Sequence, residues 1–264
     1  MAEVGRPLNL WKTALFVVLT LVVMIYIFQK APIAQNPAYH QFADQRSFLG
    51  IHNALDVLTN VAFLWVGMAG VFLLSRRKPA DFTITFIDPV ERWSFLTFFV
   101  AIVLVGFGSA YYHWAPENAR LTLDRLPMAL AFMALFSAMI SERITPMAGF
   151  LSLIPLQVLG AISVLYWHVT EQSGLGDLRL YYFVQGYTLL AIPILLLLFP
   201  ARYSRGKDLI VAVFFYALAK VVEKQDGNIL VFTGCFSGHS LKHVLAALAI
   251  YWILRMLRTR SSLA

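Results

Sequence analysis

Apolar residues along this chain fall into long runs that are separated by short polar or proline- and glycine-containing stretches. A helix needs about 20 mainly apolar residues to cross the ~30 Å hydrocarbon core of a bilayer. Runs of roughly that size occur near residues 10–29, 52–75, 93–114, 122–141, 147–169, 180–199, 208–224 and 236–257. The pattern predicts an all-α integral membrane protein with eight spans, in which a seven-helix transmembrane core follows an extra N-terminal transmembrane helix.

Composition agrees with a membrane protein. The 264 residues are 59% hydrophobic and 13% charged, with a mean hydropathy of +0.71, far from the values of a soluble domain. The net charge of +7 lies in short loops, so it favours a topological role over nucleic-acid binding. We expect no nucleic-acid partner, and no protein partner is evident. Cys235 is the sole cysteine, which excludes a cysteine-based metal site.

The first apolar run is not followed by a small-residue cleavage site, so we expect a retained anchor and not a signal peptide. The predicted division is therefore an anchor helix with its connecting loop over residues 1–41 and a seven-helix core over residues 42–264. One set of alternating loops and helix ends holds thirteen Lys and Arg residues and the other holds seven. This bias places both termini in the cytoplasm. Short loops and the lack of an N-glycosylation sequon in the outer loops favour a bacterial inner membrane.

Five polar side chains interrupt the spans: Ser109, His113, Asp124, His239 and His243. Ser109 and His113 lie near the outer end of the third span, and Asp124 lies in the first turn of the fourth. His239 and His243 lie in the first two turns of the last span and share one helix face. All five therefore fall at one depth, toward the extracytoplasmic face. Ionisable residues inside a span are costly and commonly mark a functional site.

These residue types fit a particular chemistry. Three neutral imidazoles with a nearby carboxylate form the ligand set of a catalytic zinc that keeps one position open for water. Asp124 can act as general base or acid, and Ser109 can stabilise an oxyanion or act as a nucleophile. Each residue alone has a plainer interpretation: a membrane histidine or serine can pack between helices, and Asp124 can cap a helix. Gly106 and Gly108 allow a neighbouring helix to approach closely.

The motif Ser109-x3-His113-x10-Asp124, together with Gly238-His239-x2-Lys242-His243, resembles the signature of the alkaline ceramidases. These enzymes belong to a superfamily of seven-helix membrane hydrolases that includes the adiponectin and progestin receptors. The resemblance covers roughly Phe42 to Leu257. The stretch from Asn53 to Asn60 is also similar to the family's first core helix.

The resemblance implies that zinc is held by His113, His239 and His243. Asp124 would deprotonate the zinc-bound water, and Ser109 would stabilise the oxyanion. The reaction would be hydrolysis of the amide of ceramide or a related N-acyl membrane lipid, giving a fatty acid and a sphingoid amine. The alternatives are a zinc-containing receptor or lipid sensor of the adiponectin or progestin receptor type without turnover, and a transporter. A transporter is disfavoured because no internal repeat is visible.

The chain departs from the family before the first core helix, where the eukaryotic enzymes carry an acidic calcium-binding stretch. The segment Phe42–Arg46 has one carboxylate beside an arginine, whereas calcium prefers several oxygen ligands. Asp44, Asn53 and Asp56 could form only a poorer calcium site, and we expect none.

Further polar residues accompany the predicted site. Lys220 and Glu223 can form a plain ion pair, or they and Asp226 can orient a zinc-bound histidine from outside. Lys242 and Asn60 are candidates for the same supporting role or for contacts with a lipid headgroup. The other histidines at span edges and in loops are interpreted as interfacial packing; they are His40, His52 and His168.

Overall fold

The computed structural model describes residues 9–75 and 86–263. These residues form α-helices joined by short connections, with one 3₁₀ turn at Pro37–His40. The helices are α1 (Leu10–Phe28), α2 (Ala54–Leu58), α3 (Val61–Ser75), α4 (Glu91–Trp114), α5 (Asn118–Arg143), α6 (Pro146–Gln172), α7 (Arg179–Leu198), α8 (Lys207–Lys224), α9 (Asp226–Thr233) and α10 (Gly238–Thr259).

Seven helical segments of the described chain are long and apolar enough to cross a membrane. They are α1, α2 with α3, α4, α5, α6, α7 and α10. This confirms the predicted all-α membrane architecture. The run predicted near 208–224 forms α8, which is not among the seven because charged residues occupy both of its ends. Its role as an eighth span stays a prediction.

The helices pack around α5, which contacts α4, α6 and α7, while α10 packs against α8 and α3. Within the most apolar stretch of each helix, 67% of α5 but only 6% of α1 is buried. Small residues line α5 and allow this close packing; they include Ala129, Ala131, Ala134, Ser137 and Ala138. By contrast, α1 lies at the periphery, where Phe16 contacts the rings of Phe136 and Tyr187. The division into an anchor and a core stays a prediction.

One prediction about α5 was wrong in detail. The helix begins at Asn118, so Asp124 lies in its second turn and not in its first. The polar residues just before the apolar run also adopt helical structure, so the helix begins several residues before the run does. Pro127 therefore lies inside the helix, where its missing N–H leaves the carbonyl of Leu123 without its usual donor. A side chain at Gly108 would overlap that carbonyl, so the glycine lets α4 and α5 meet beside Asp124.

A group of polar side chains, buried apart from the half-buried Arg202, lies at the end of the bundle where α4 begins and α5 and α10 end. We call it the opposite end, and it comprises Glu91, Glu142, Arg202, Tyr203 and Arg260. The Tyr203 hydroxyl donates to Glu91 Oε2 (2.7 Å), and Arg202 lies 3.5 Å from the other carboxylate oxygen. Arg260 forms an ion pair with Glu142. These contacts tie the chain after α10 and the α7–α8 connection to α4 and α5.

The loop charges that predict the orientation lie partly outside the described residues, namely Arg6, Arg76, Arg77 and Lys78. The predicted orientation therefore stays a prediction.

Candidate metal centre

Three buried imidazoles meet at the other end of the bundle, which we call the histidine end. His113 lies in the last turn of α4, and His239 and His243 lie in the first two turns of α10. One ring nitrogen of each lies within 4.8 Å of the others, and no other such group of His, Cys, Asp and Glu occurs in the described parts of the chain. The structure thus brings together side chains that are 126 residues apart in sequence.

The arrangement fits a metal ion. Nε2 of His113 and Nε2 of His239 are 3.3 Å apart, close to the ~3.3 Å expected between two nitrogens that bind one tetrahedral ion at about 2.0–2.1 Å. Nε2 of His243 is buried and has no hydrogen-bond partner among the described residues. An unpaired buried nitrogen is costly. A cation between the three rings would give these nitrogens a partner.

Thr59 fixes the direction of one imidazole. Its hydroxyl lies 2.9 Å from Nδ1 of His243, in a hydrogen bond. With Nδ1 engaged, Nε2 is the nitrogen left for a metal, and such a partner holds the ring in its binding orientation. Sequence analysis missed Thr59, although it belongs to the Asn53–Asn60 stretch that carries the family resemblance.

Two acidic residues position the start of α10. Asp226 Oδ1 accepts from the backbone N–H of His239 (2.7 Å), and its other oxygen accepts from the N–H of Ala43 (2.9 Å). Asp56 Oδ1 accepts from the hydroxyls of Ser240 (2.6 Å) and Ser237 (3.3 Å). Negative charge near a helix N-terminus is stabilising. Asp226 therefore supports the site through the backbone and not through a histidine ring.

The segment before α2 covers the imidazoles. The Phe42 ring lies 4.7 Å from the His113 ring and 4.5 Å from the His239 ring, measured between centroids. Asn53 adopts a left-handed conformation with φ of 50°, and its amide donates to the His113 carbonyl at 2.8 Å. No sequence signal indicated Phe42, because an aromatic residue in a loop is common.

Asp124 and Ser109 are not members of the three-histidine group, and Ser109 lies one helical turn before His113 on α4. Their side chains interact with each other. Asp124 Oδ1 is buried and has no hydrogen-bond partner among the described residues. The carboxylate also interacts electrostatically with Lys242. One acceptor oxygen of Asp124 is thus free within the described residues.

The predicted supporting residues have other contacts. Glu223 accepts from Lys242 (2.6 Å) and Lys220 (2.8 Å), so the predicted ion pair of Lys220 and Glu223 is present and includes a third member. The Asn60 amide donates to the Asp56 carbonyl at 2.7 Å. The hydrogen bond to an imidazole of the cluster is made by Thr59 instead.

The three candidate calcium ligands are each engaged elsewhere. Arg46 donates to both oxygens of Asp44, at 2.8 and 2.7 Å, and these hydrogen bonds lower the pKa of that carboxyl below its usual value. Asn53 and Asp56 support the histidine helices as described above. The expectation of no calcium site stays a prediction.

The remaining histidines bond to neighbouring polar groups. His40 contacts the Tyr112 hydroxyl (3.0 Å) and Asn118 (2.9 Å). His168 contacts Thr122 (2.9 Å), and His52 contacts Ser47 (2.9 Å). None of these three histidines belongs to the imidazole cluster.

Fold and site together define a helical membrane protein with a buried cluster of three histidines. The family model for ceramidases matches residues 51–221, and the chain belongs to the ceramidase family. The match includes Ser109, His113 and Asp124, while His239 and His243 lie beyond it and reach His113 through the fold. Neither the curated proteins nor the solved structures gave a match.

Proposed function

We propose that this protein is a zinc-dependent intramembrane amide hydrolase that acts on ceramide-like N-acyl lipids and releases a fatty acid and a sphingoid amine. The observation that carries the proposal is the cluster of three buried imidazoles. Asp124 interacts with Ser109, which lies one helical turn before His113, and Asp124 Oδ1 has no partner in the described chain. Membership of the ceramidase family supports an amide hydrolase with a lipid substrate.

In this mechanism His113, His239 and His243 would hold the metal, and the Thr59 hydroxyl at Nδ1 of His243 leaves Nε2 of that ring for the ion. When bound, a zinc ion would supply an activated water and polarise the substrate carbonyl. Asp124 accepts the proton of the attacking water at its free Oδ1 and returns it to the leaving amine. The Ser109 hydroxyl, once turned to the substrate, donates to the oxyanion that develops on the carbonyl oxygen.

An apolar cavity supports a lipid substrate. It lies between α3, α4, α5, α7, α8 and α10, and its lining includes Phe63, Phe98, Ile102, Met128 and Leu189. Phe63 also contacts the ring of His243, with 6.0 Å between ring centroids. An acyl chain in this cavity would therefore end at the metal centre.

The test combines metal analysis with turnover. Wild-type protein in nanodiscs should contain about one zinc ion per chain and hydrolyse a ceramide. Asp124→Asn should keep the metal and lose turnover by about 10²–10⁴-fold, the usual contribution of general acid–base catalysis. Asp88→Asn, at the opposite end, is the matched control and should behave as wild type.

A receptor or lipid sensor predicts a different result. Wild-type protein would bind lipid without hydrolysing it, and Asp124→Asn would leave that binding unchanged. Accumulation of one class of N-acyl lipid in cells that lack the protein would identify the natural substrate.

The proposal places both termini in the cytoplasm and the site toward the extracytoplasmic face. Cys235, the sole cysteine, is exposed and lies just before α10 at the histidine end. A membrane-impermeant maleimide added outside intact cells should therefore label it. Labelling only after the cells are opened would reverse the proposed orientation.

A further inference from the structure

The three imidazoles have two kinds of surroundings. His243 contacts Phe63, whose ring also lines the apolar cavity. His113 and His239 contact Phe42 instead, in the segment before α2. The cavity is lined by apolar side chains and one tyrosine, so it offers water little to bond to. Water and polar groups are therefore expected to approach the cluster from the direction of Phe42.

Residues 41–52, which we call the cover segment, form a thin layer over these two imidazoles. Phe42 and Asp44 are buried, whereas the other residues of the segment are exposed apart from the half-buried Ile51. Phe42, at 5% exposure, is thus the one buried apolar side chain of the cover segment. A single ring lies between the imidazoles and an otherwise exposed stretch of chain.

Few contacts hold the cover segment against the helices. The backbone N–H of Ala43 donates to Asp226 (2.9 Å), and the Arg46 side chain donates to the carbonyl of Cys235 (2.5 Å). Both partners lie in the connection between α8 and α10. A segment with few buried apolar contacts opens at a low cost in free energy.

The cover segment is anchored at both of its ends. His40, just before it, bonds to the Tyr112 hydroxyl (3.0 Å) and to Asn118 (2.9 Å). Asn53, just after it, donates to the carbonyl of His113 at 2.8 Å. Opening would therefore be a local movement between two fixed points and would not require the helices to rearrange.

We propose that the cover segment is a gate that opens to let water and polar groups reach the metal centre, and that the Phe42 ring closes it. The inference rests on the proposed metal centre and hydrolase function. Phe42 controls access to the reacting atoms and is not a catalytic residue.

A disulfide can hold this gate closed. A Cβ atom at Gly227 on α9 would lie 3.9 Å from Cβ of Ala43, and natural disulfides have Cβ atoms about 3.5–4.5 Å apart. The test protein carries Ala43→Cys and Gly227→Cys together with Cys235→Ser, which removes the sole natural cysteine.

The oxidised form of this protein should lose zinc to a water-soluble chelator about tenfold or more slowly than the reduced form, because opening is prevented. Lipid hydrolysis in nanodiscs should also fall on oxidation and recover when a phosphine reductant is added. Cys235→Ser alone is the matched control and should respond to neither treatment.

Removing the closing ring should have the opposite effect. Phe42→Ala should raise the rates of zinc uptake and zinc release by about tenfold or more, since loss of a buried ring favours the open segment. The equilibrium affinity for zinc should stay the same, because a gate changes both rates equally. Phe48→Ala is the matched control, since Phe48 belongs to the same segment but is 59% exposed, and it should leave both rates unchanged.

Three outcomes would overturn the gate. Zinc exchange that does not depend on oxidation of the disulfide is one, and undiminished lipid hydrolysis by the oxidised protein is another. The third is a weaker zinc affinity in Phe42→Ala with an unchanged rate of uptake, which would show that the ring only stabilises the bound metal. Gated zinc exchange in a protein that hydrolyses no lipid would refute the hydrolase and support the gate, whereas a protein that binds no zinc would refute the metal centre and the gate together.

Discussion

At the opposite end of the bundle, the Arg260 guanidinium pairs with Glu142 and lies over the Tyr203 ring at 4.0 Å. Glu91 there accepts from Tyr203 and lies near Arg202. At the histidine end, three imidazoles turn ring nitrogens toward one another. Both ends bury ionisable groups, but the centre of the opposite end is an ion pair, whereas the centre of the histidine end is a cluster of three groups of one kind.

The difference indicates that the opposite end contributes to stability and that the histidine end is suited to bind a ligand. At the opposite end the Arg260 charge is compensated by its ion pair and by aromatic faces, although its Nε and Nη2 have no hydrogen-bond partner within the described residues, so this end holds its elements together without a ligand. At the histidine end, Nε2 of His113 and Nε2 of His239 lie within hydrogen-bond distance of each other, but Nε2 of His243 and Nδ1 of His113 have no partner within the described chain. A cluster of buried ring nitrogens that lack hydrogen-bond partners is suited to bind a cation. The predictions below test this division.

The largest effect is expected from removing one imidazole. His239→Ala should lose the bound metal and reduce lipid hydrolysis by on the order of 10³-fold or more, because the activated water is lost with the metal. Elemental analysis and a lipid hydrolysis assay measure the two quantities. His168→Ala is the control, since His168 bonds to Thr122 away from the cluster. Full metal content in His239→Ala would refute the ligand assignment.

Removing a charge at the opposite end should change the stability of the protein and not its metal content. Glu142→Ala leaves Arg260 buried without its carboxylate and should lower the free energy of unfolding by about 3–5 kcal/mol. The metal content of the folded fraction should stay the same. Denaturant unfolding in detergent measures the first quantity. Glu117→Ala, in an exposed pair with Arg120, should cost at most about 1 kcal/mol. Metal loss in Glu142→Ala without destabilisation would contradict the assignment of the opposite end to stability.

A moderate effect is expected from Thr59→Val, which keeps the shape of the side chain but removes the hydrogen bond to His243. Metal affinity should fall by about 10–100-fold, the usual cost of losing such a partner. Competition with a chelator measures the affinity. Thr259→Val is the control because its hydroxyl bonds only to the backbone of its own helix. An unchanged affinity would mean that Thr59 does not orient the imidazole.

The smallest effect concerns the segment that covers the histidines. Hydrogen bonds from Arg46 lower the pKa of Asp44 below its ordinary value of 3.8. The stability from this pair is therefore present above about pH 4 and is lost as the pH falls through the lower, folded-state pKa. Arg46→Gln should remove this pH dependence, whereas Arg258→Gln at the opposite end should not. Hydrogen exchange of residues 41–52 between pH 2 and 6 measures the pH dependence of this segment's stability. The change in stability should be small because Arg46 is largely exposed.

Much of the architecture was predictable from the polarity pattern. Apolar runs gave the spans, and the cost of polar groups in a bilayer singled out His113, His239 and His243. The start of α5 was misplaced because a polar stretch can be helical outside the hydrocarbon core, so hydropathy alone does not mark a helix end. The partner of His243 was also missed, since threonine is common in membrane helices and is informative only when its neighbour is known.

The sequence by itself determined that the chain is a helical membrane protein and which of its helices carry imidazoles and carboxylates, because the bilayer constrains composition residue by residue. Only the tertiary structure decided which nitrogens stay free and that Asp56 and Asp226 hold the start of α10. Those properties depend on distances of a few ångströms between helices that are far apart in the chain, and helix packing alone sets such distances.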